Sequence, residues 1–202
     1  MQIISQMMVN ALTAFYQPFG FAMILSILFM FSYMFAKEKG WKVVVYQWIQ
    51  TFITDKFFRR IFLLAFYTAL VLFRTLLNRD LWKNALEDVI GIWGLYDKNG
   101  ELTTEVLENL VLFIPFTVLL LWSFQERLIG QSVRFLETIW KSVKVVFLFS
   151  LTIETLQLIL RLGTFQLSDL FYNTLGGLIG GLIYCIVYKI GHKIGHRKKK
   201  TE

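Results

Sequence analysis

The stretch Ser150 to Gly181 reads SLTIETLQLILRLGTFQLSDLFYNTLGGLIGG, and it decides the class of the whole chain. Two apolar runs flank a short turn, and each carries a few polar side chains at helical spacing. Glu154, Gln157 and Arg161 fall on one face of the first run. Asp169 opens the second, Asn173 follows one turn later, and then come Gly176, Gly177, Gly180 and Gly181. Apolar runs of about 20 residues span roughly 30 Å of hydrocarbon as helices.

Three further apolar runs lie outward of these two. Spans are expected at Tyr16 to Ala36, Phe57 to Leu77, Val106 to Phe124, Val143 to Leu162 and Leu170 to Ile190. The composition agrees: 56% of the residues are hydrophobic, 17% are charged, and the mean hydropathy is +0.56. The expected fold is therefore an all-α integral membrane protein of about five transmembrane helices. Residues 1–60 would supply an N-terminal interfacial segment, the first span and a cytoplasmic amphipathic loop. Residues 61–190 would form the transmembrane core, and 191–202 a basic tail. Neither an internal repeat nor a soluble second domain is visible.

Basic residues orient the chain, because Lys and Arg are retained on the cytoplasmic side. Lys37, Lys39, Lys42, Lys56, Arg59 and Arg60 lie in the first loop; Arg127, Arg134, Lys141 and Lys144 in the third; Lys189, Lys193, Arg197, Lys198, Lys199 and Lys200 in the tail. The second loop has Arg79, Lys83 and Lys98 against six carboxylates, and the fourth has none. Alternate loops agree, which places the N-terminus outside and the C-terminus in the cytoplasm. The first charge is Lys37, so the beginning of the chain lacks the basic region of a secretory signal and is expected to be retained. Two stretches have amphipathic spacing suited to the interface: Ile4 to Phe15, and Trp41 to Phe52 with Val45, Trp48 and Ile49 on one face. The outer loop carries a turn signal at Asp97 to Gly100, and Thr103 or Thr104 is placed to cap the third span.

Several chemistries lack their residues. Cys185 is the single cysteine, so no disulfide or thiolate metal cage forms within one chain. His192 and His196 both lie in the basic tail, and there is no HExxH, nucleophile elbow or P-loop. No metal, cofactor or nucleic acid is called for, since a basic run beside a span reads as an anionic-lipid anchor.

Ionisable groups inside a span are expensive and require a partner, a wet cavity or a function. With a rise of about 1.5 Å per residue, Glu154 lies roughly 12 Å below the outer end of its span, Gln157 roughly 7 Å below and Arg161 at the rim. Asp169 and Asn173 sit at matching depth on the fifth span. Arg74 and Asn78 occupy the outer end of the second, and Glu105, Glu108 and Asn109 the outer turns of the third. A polar cleft opening outward is expected, with Arg74, Asn78, Glu105, Asn109, Glu154, Gln157, Arg161, Asp169 and Asn173 as ligand-binding candidates. The competing reading is that Glu154, Asp169 and the arginines are interhelical ties. The glycines let a neighbouring backbone approach, and Pro115 is expected to bend the third span.

Those residues also carry a resemblance. The Glu-Gln spacing at 154 and 157, the Arg at 161, the turn with Asp169, and Asn173 followed by paired glycines resemble the signature of VanZ-like membrane proteins. NLVLFIPF at Asn109 to Phe116 is similar to the family's second motif, and Arg74 matches an arginine on an earlier helix. The resemblance covers about Leu63 to Val187. Thr117 stands where the family often has glycine, and Met1 to Arg60 lies outside the shared part.

The resemblance implies a multi-pass protein of the bacterial plasma membrane, of a Gram-positive organism. It also implies an association with resistance to teicoplanin and related glycopeptide antibiotics. The residues leave three functional classes open. One is non-catalytic binding of a membrane lipid, a lipid-linked cell-wall precursor or a lipoglycopeptide tail, with Arg74 and Arg161 on a phosphate or carboxylate. A second is a membrane enzyme acting on a lipid phosphate, with Glu154 or Asp169 as general base. The third is an anionic-lipid transporter.

Orientation has a direct test. A cysteine placed at Asn99 should react with an impermeant maleimide on intact cells, and one placed in the tail should not; the reverse pattern, or labelling of both, contradicts the orientation.

Overall fold

Asp55 caps a helix: its carboxylate accepts from the backbone N–H of Phe57 at 2.7 Å and of Phe58 at 3.3 Å, starting the helix at Lys56. The structure, a computed structural model, describes residues 24–77, 84–96, 99–130 and 132–198. Residues 24–39 are helical (α1), followed by α2 (Trp41–Thr54) and α3 (Lys56–Leu72). A five-residue π turn, Phe73–Leu77, continues α3. Then come α4 (Glu105–Leu128), α5 (Phe135–Leu160) and α6 (Leu167–Lys198). An isolated bridge pairs Tyr96 with Leu102. It closes a small hairpin whose turn contains Gly100 at φ 80°.

The all-helical expectation therefore holds, and α4, α5 and the Leu167–Gly191 part of α6 are each long and apolar enough to cross a membrane. The expected second span coincides with α3 and its π turn, and the expected fourth starts earlier than Val143, at Phe135. The amphipathic stretch Ile4 to Phe15 and the opening of the first span lie outside the described residues.

The inward faces of α3, α4 and α5 meet in one apolar cluster of Leu64, Val71, Phe113, Phe116, Val146 and Ile153. Phe149 of α5 stacks on Phe116 at 4.8 Å between ring centroids. The stretch read as an interfacial helix is α2. It leaves Trp41, Val45, Tyr46, Ile49 and Ile53 exposed and lays Trp48 and Phe52 against Phe58 and Phe62 of α3.

Close packing of α6 depends on its glycines, which serve two neighbours in alternation. A Cβ on Gly176 would lie 2.2 Å from the carbonyl oxygen of Leu110, and one on Gly180 would lie 2.7 Å from that of Ile114, both on α4. On the other side, Gly177 meets Val146 at 2.7 Å and Gly181 meets the Ser142 hydroxyl at 2.6 Å, both on α5. Thr117, the departure from the family pattern, is fully buried and faces Gly180, whose missing side chain leaves it room. The expected bend at Pro115 is corrected by the backbone: the non-helical residue inside α4 is Phe124, at φ −121° and ψ 29°. Proline removes one N–H, and the helix absorbs that loss without a break at Pro115.

Gly176→Ala should lower thermal stability in detergent by about 1–3 kcal/mol through overpacking. Gly191→Ala, where a Cβ meets nothing within 4 Å, should hold or slightly raise the melting temperature, since alanine favours the helix. Equal melting for both variants would contradict a glycine-dependent seam.

Candidate functional site

Two hydrogen bonds between short side chains fix the level of the site. Asn173 of α6 donates to the hydroxyl of Ser150 on α5 at 2.9 Å, and Asn109 of α4 donates to Oδ1 of Asp169 on α6 at 2.7 Å. Such short side chains meet only because the glycines bring the three backbones together. Since α5 and α6 run in opposite directions, the Ser150–Asn173 bond sets their register. Glu154 is one turn further on along α5, and Asp169 one turn back along α6, so the two carboxylates share one level.

The other bonds tie this level to the loops. Glu154, 1% exposed, accepts from the backbone N–H of Gln166 at 2.9 Å. Gln157, equally buried, donates to the carbonyl of Thr75 at 2.8 Å, so a carbonyl in the π turn finds its donor on α5. Asp169 lies in the first turn of α6, where the helix dipole favours a negative charge. The oxygens Gln157 Oε1, Gln166 Oε1, Asn173 Oδ1 and Ser168 Oγ are buried without a hydrogen-bond partner.

This level is covered rather than open. The outer loop pairs with the α5–α6 connection: Phe165 N–H donates to Ala85, Leu167 N–H to Val89, and Ser168 N–H to Ile90. Gly91 at φ 72° sits so close to Ser168 that a Cβ there would lie 1.9 Å from its hydroxyl oxygen. Tyr172 donates to the carbonyl of Trp93 at 2.9 Å and packs on its ring. The expected outward cleft is thus roofed by the segment from Ala85 to Trp93. The side chains beneath it bond to the α5–α6 connection, the π turn and neighbouring helices.

The opening lies to the side. Tyr67, Leu70, Phe73, Arg74 and Thr75 face Leu107, Glu108, Asn109, Val111 and Leu112 across a groove of about 610 Å³ between α3 and α4. Its lower wall is apolar. Its upper end holds the ion pair of Arg74 with Glu108, both about half exposed, and Thr104 donates to the other oxygen of Glu108 at 2.6 Å. Beyond the pair, Thr103, Thr104, Glu105, Glu108 and Asn109 line a smaller polar space of about 210 Å³. Thr104 stands at the N-cap of α4 without capping through its side chain, while Thr103 Oγ1 accepts from the N–H of Glu105 at 3.3 Å.

The nine candidates therefore divide. Asn109, Glu154, Gln157, Asp169 and Asn173 form the buried level; Arg74, Glu105 and again Asn109 line the lateral spaces; Asn78 lies outside the described residues. Arg161 joins neither group. It ends α5 in the left-handed conformation, φ 54° and ψ 35°, with its N–H and that of Leu162 bonded to the carbonyl of Gln157. Its side chain is exposed. Extending the helical face of Glu154 and Gln157 to position 161 goes one residue past the end of α5, at Leu160. Glu108, Ser150, Thr75, Gln166 and Ser168 complete the geometry without having been candidates. Ser150 was detectable, being one turn before Glu154 on the same face; Thr75, Gln166 and Ser168 depend on a π turn and on loop docking that leave no periodic trace.

A protein-family comparison bears on the same residues. The model of the VanZ/LLP1 family matches residues 20–188. The chain belongs to the VanZ/LLP1 family. This match begins well before Leu63 and takes in α1, α2 and the start of α3 as well as the site. The chain is also similar to protein VanZ of Enterococcus faecium, at 35% identity over 75 residues. That alignment covers 37% of this chain and 40% of the relative, so it spans about two-fifths of the length of the VanZ protein. No solved structure matches the chain.

The backbone of Arg161 yields a prediction that separates its conformation from its charge. A left-handed residue other than glycine is strained by roughly 1–2 kcal/mol. Arg161→Gly should therefore raise the melting temperature by about 2–4 °C, whereas Arg161→Val should lower it. A fall for both would show that the side chain itself holds the fold.

Proposed function

We propose that this VanZ/LLP1-family protein holds the head group of a membrane lipid or lipid-linked cell-wall precursor in the lateral groove, and thereby contributes to resistance against teicoplanin and related lipoglycopeptides. In this reading it is a plasma-membrane protein of a Gram-positive bacterium. It crosses the bilayer five times, with residues 24–39 in the first span and α3 with its π turn in the second. Its N-terminus is outside and its C-terminus in the cytoplasm, as the basic loops require.

The observation that carries the reading is the change of character along one groove. Leu70, Phe73, Leu107, Val111 and Leu112 offer an acyl chain an apolar wall, and Arg74, Glu108 and Asn109 offer a head group hydrogen bonds at its end. A guanidinium half exposed at that point suits a phosphate or carboxylate oxygen. Asn109 links the groove to the buried level, because its amide donates to Asp169 while the residue also lines the groove. The buried polar residues then position Asn109 and the roof rather than meet the ligand directly. Glu154 and Asp169, 1% and 4% exposed and hydrogen-bonded to protein groups, favour that positioning role over general-base catalysis.

A groove at the level of the outer leaflet reaches the depth where lipoglycopeptides insert their acyl tails. Deletion of the gene should lower the inhibitory concentration of teicoplanin more than that of vancomycin. Wild-type protein should restore it and Arg74→Gln should not, at equal membrane levels of the two. Unchanged susceptibility to both drugs in the deletion strain would contradict the resistance role.

A further inference from the structure

The end of the bundle opposite the polar level carries a second cavity that the lateral groove does not explain. It measures about 280 Å³ and is lined by Phe57 and Arg60 of α3 and by Trp122 to Arg127 of α4. We propose that Arg60 and Arg127 form a binding site for the phosphate group of an anionic phospholipid.

The donors are present and uncompensated. Arg60 lies over the ring of Trp122 at 4.8 Å and donates one Nη1 hydrogen bond to the Trp122 carbonyl at 3.4 Å. Its Nε is buried with no acceptor. A charged group with an unsatisfied buried donor has lost hydration without replacement, so the Arg60 guanidinium gains from an anion in the cavity that its residue lines. Arg127 stands over Phe124 at 6.0 Å. Among the described residues neither arginine pairs with a carboxylate; Glu126 also lines the cavity and joins neither. The amide oxygen of Gln125 is taken by Tyr184 at 2.7 Å, which leaves its Nε2 as a further donor at the wall.

The backbone shapes the cavity and its position selects the ligand. The non-helical turn at Phe124 turns the last part of α4 out of the regular path, and Phe124 is itself the ring under Arg127, two residues after the Trp122 ring under Arg60. Ser123 donates to the carbonyl of Arg60 at 3.3 Å, fixing α3 to α4 beside the opening. At Asp55 the chain passes into α3 from α2, whose exposed Trp41, Tyr46, Ile49 and Ile53 suit a bilayer surface. A basic cavity between helices at that level fits an anionic lipid head group, and the aromatic wall of Phe57, Trp122 and Phe124 accepts the start of its chains.

The test uses the full-length protein in nanodiscs of equal parts phosphatidylcholine and phosphatidylglycerol, released into the gas phase for native mass spectrometry. Wild type should retain phosphatidylglycerol over phosphatidylcholine, and Arg127→Gln should reduce that preference by about tenfold, the scale of one charge-assisted hydrogen bond. Arg127 is exposed, so its variant should fold even if Arg60→Gln does not. Lys144→Gln removes the same charge from an exposed position elsewhere and should leave the preference intact. Retention that added inorganic phosphate abolishes identifies free phosphate as the source of the same chemistry, and retention that it leaves untouched identifies the lipid. No change in Arg127→Gln, or equal losses in Arg127→Gln and Lys144→Gln, overturns the site.

Discussion

The close approach of α6 to both α4 and α5 is the constraint on which the rest of this structure depends. Within a membrane, lipid tails are as apolar as leucine, so helices associate through packing and interhelical hydrogen bonds instead of hydrophobic segregation. Gly176 and Gly180 bring α6 against carbonyls of α4, and Gly177 and Gly181 bring it against Val146 and Ser142 of α5. Only at that separation do asparagines reach Asp169 and Ser150. Glycine weakens a helix intrinsically; here the loss is offset by polar bonds that lipid cannot supply.

From that seam the site follows in two layers. The carboxylates of Glu154 and Asp169 are placed at one level by the antiparallel register, and each receives a hydrogen bond from a group held by another element. The roof from Ala85 to Trp93 keeps them covered, and Gly91 is what permits its contact with Ser168. Asn109 passes this arrangement to the lateral groove, where the Arg74–Glu108 pair stands at the boundary between apolar and polar walls. The cavity at Arg60 and Arg127 repeats the combination of aromatic wall and guanidinium at the other end of α3 and α4. One helix pair thus presents a polar end to each side of the bundle.

Much of this was legible in the residues. Polar positions at helical spacing, at matching depth on different apolar runs, located Asn109, Glu154, Gln157, Asp169 and Asn173 before any coordinates, because depth follows from rise per residue. The glycine pairs announced close packing for the same reason. What periodicity does not carry is where a helix stops. Helical spacing puts Arg161 on the face of Glu154, whereas its left-handed backbone ends α5 there and its side chain is exposed. Loop docking was equally hidden: bonds such as Phe165 N–H to Ala85 join distant backbone groups and leave no side-chain signature. A cleft inferred from helices alone is therefore open in the sequence reading and roofed in the structure. Pro115 teaches the converse, since its helix keeps a regular path there and is irregular at Phe124, which has no comparable signal.

In the proposed function an amphiphile lies between α3 and α4 with its head at Arg74. Photocrosslinking with a phospholipid carrying a reactive group on its acyl chain, in membranes containing the full-length protein, addresses this directly. Peptide mapping by mass spectrometry should place the crosslinks on Leu70, Phe73 and Val111, and Arg74→Gln should disperse them. Even labelling of the exposed apolar residues on every helix, with Phe66 and Leu148 crosslinked as strongly as Val111, would contradict the account.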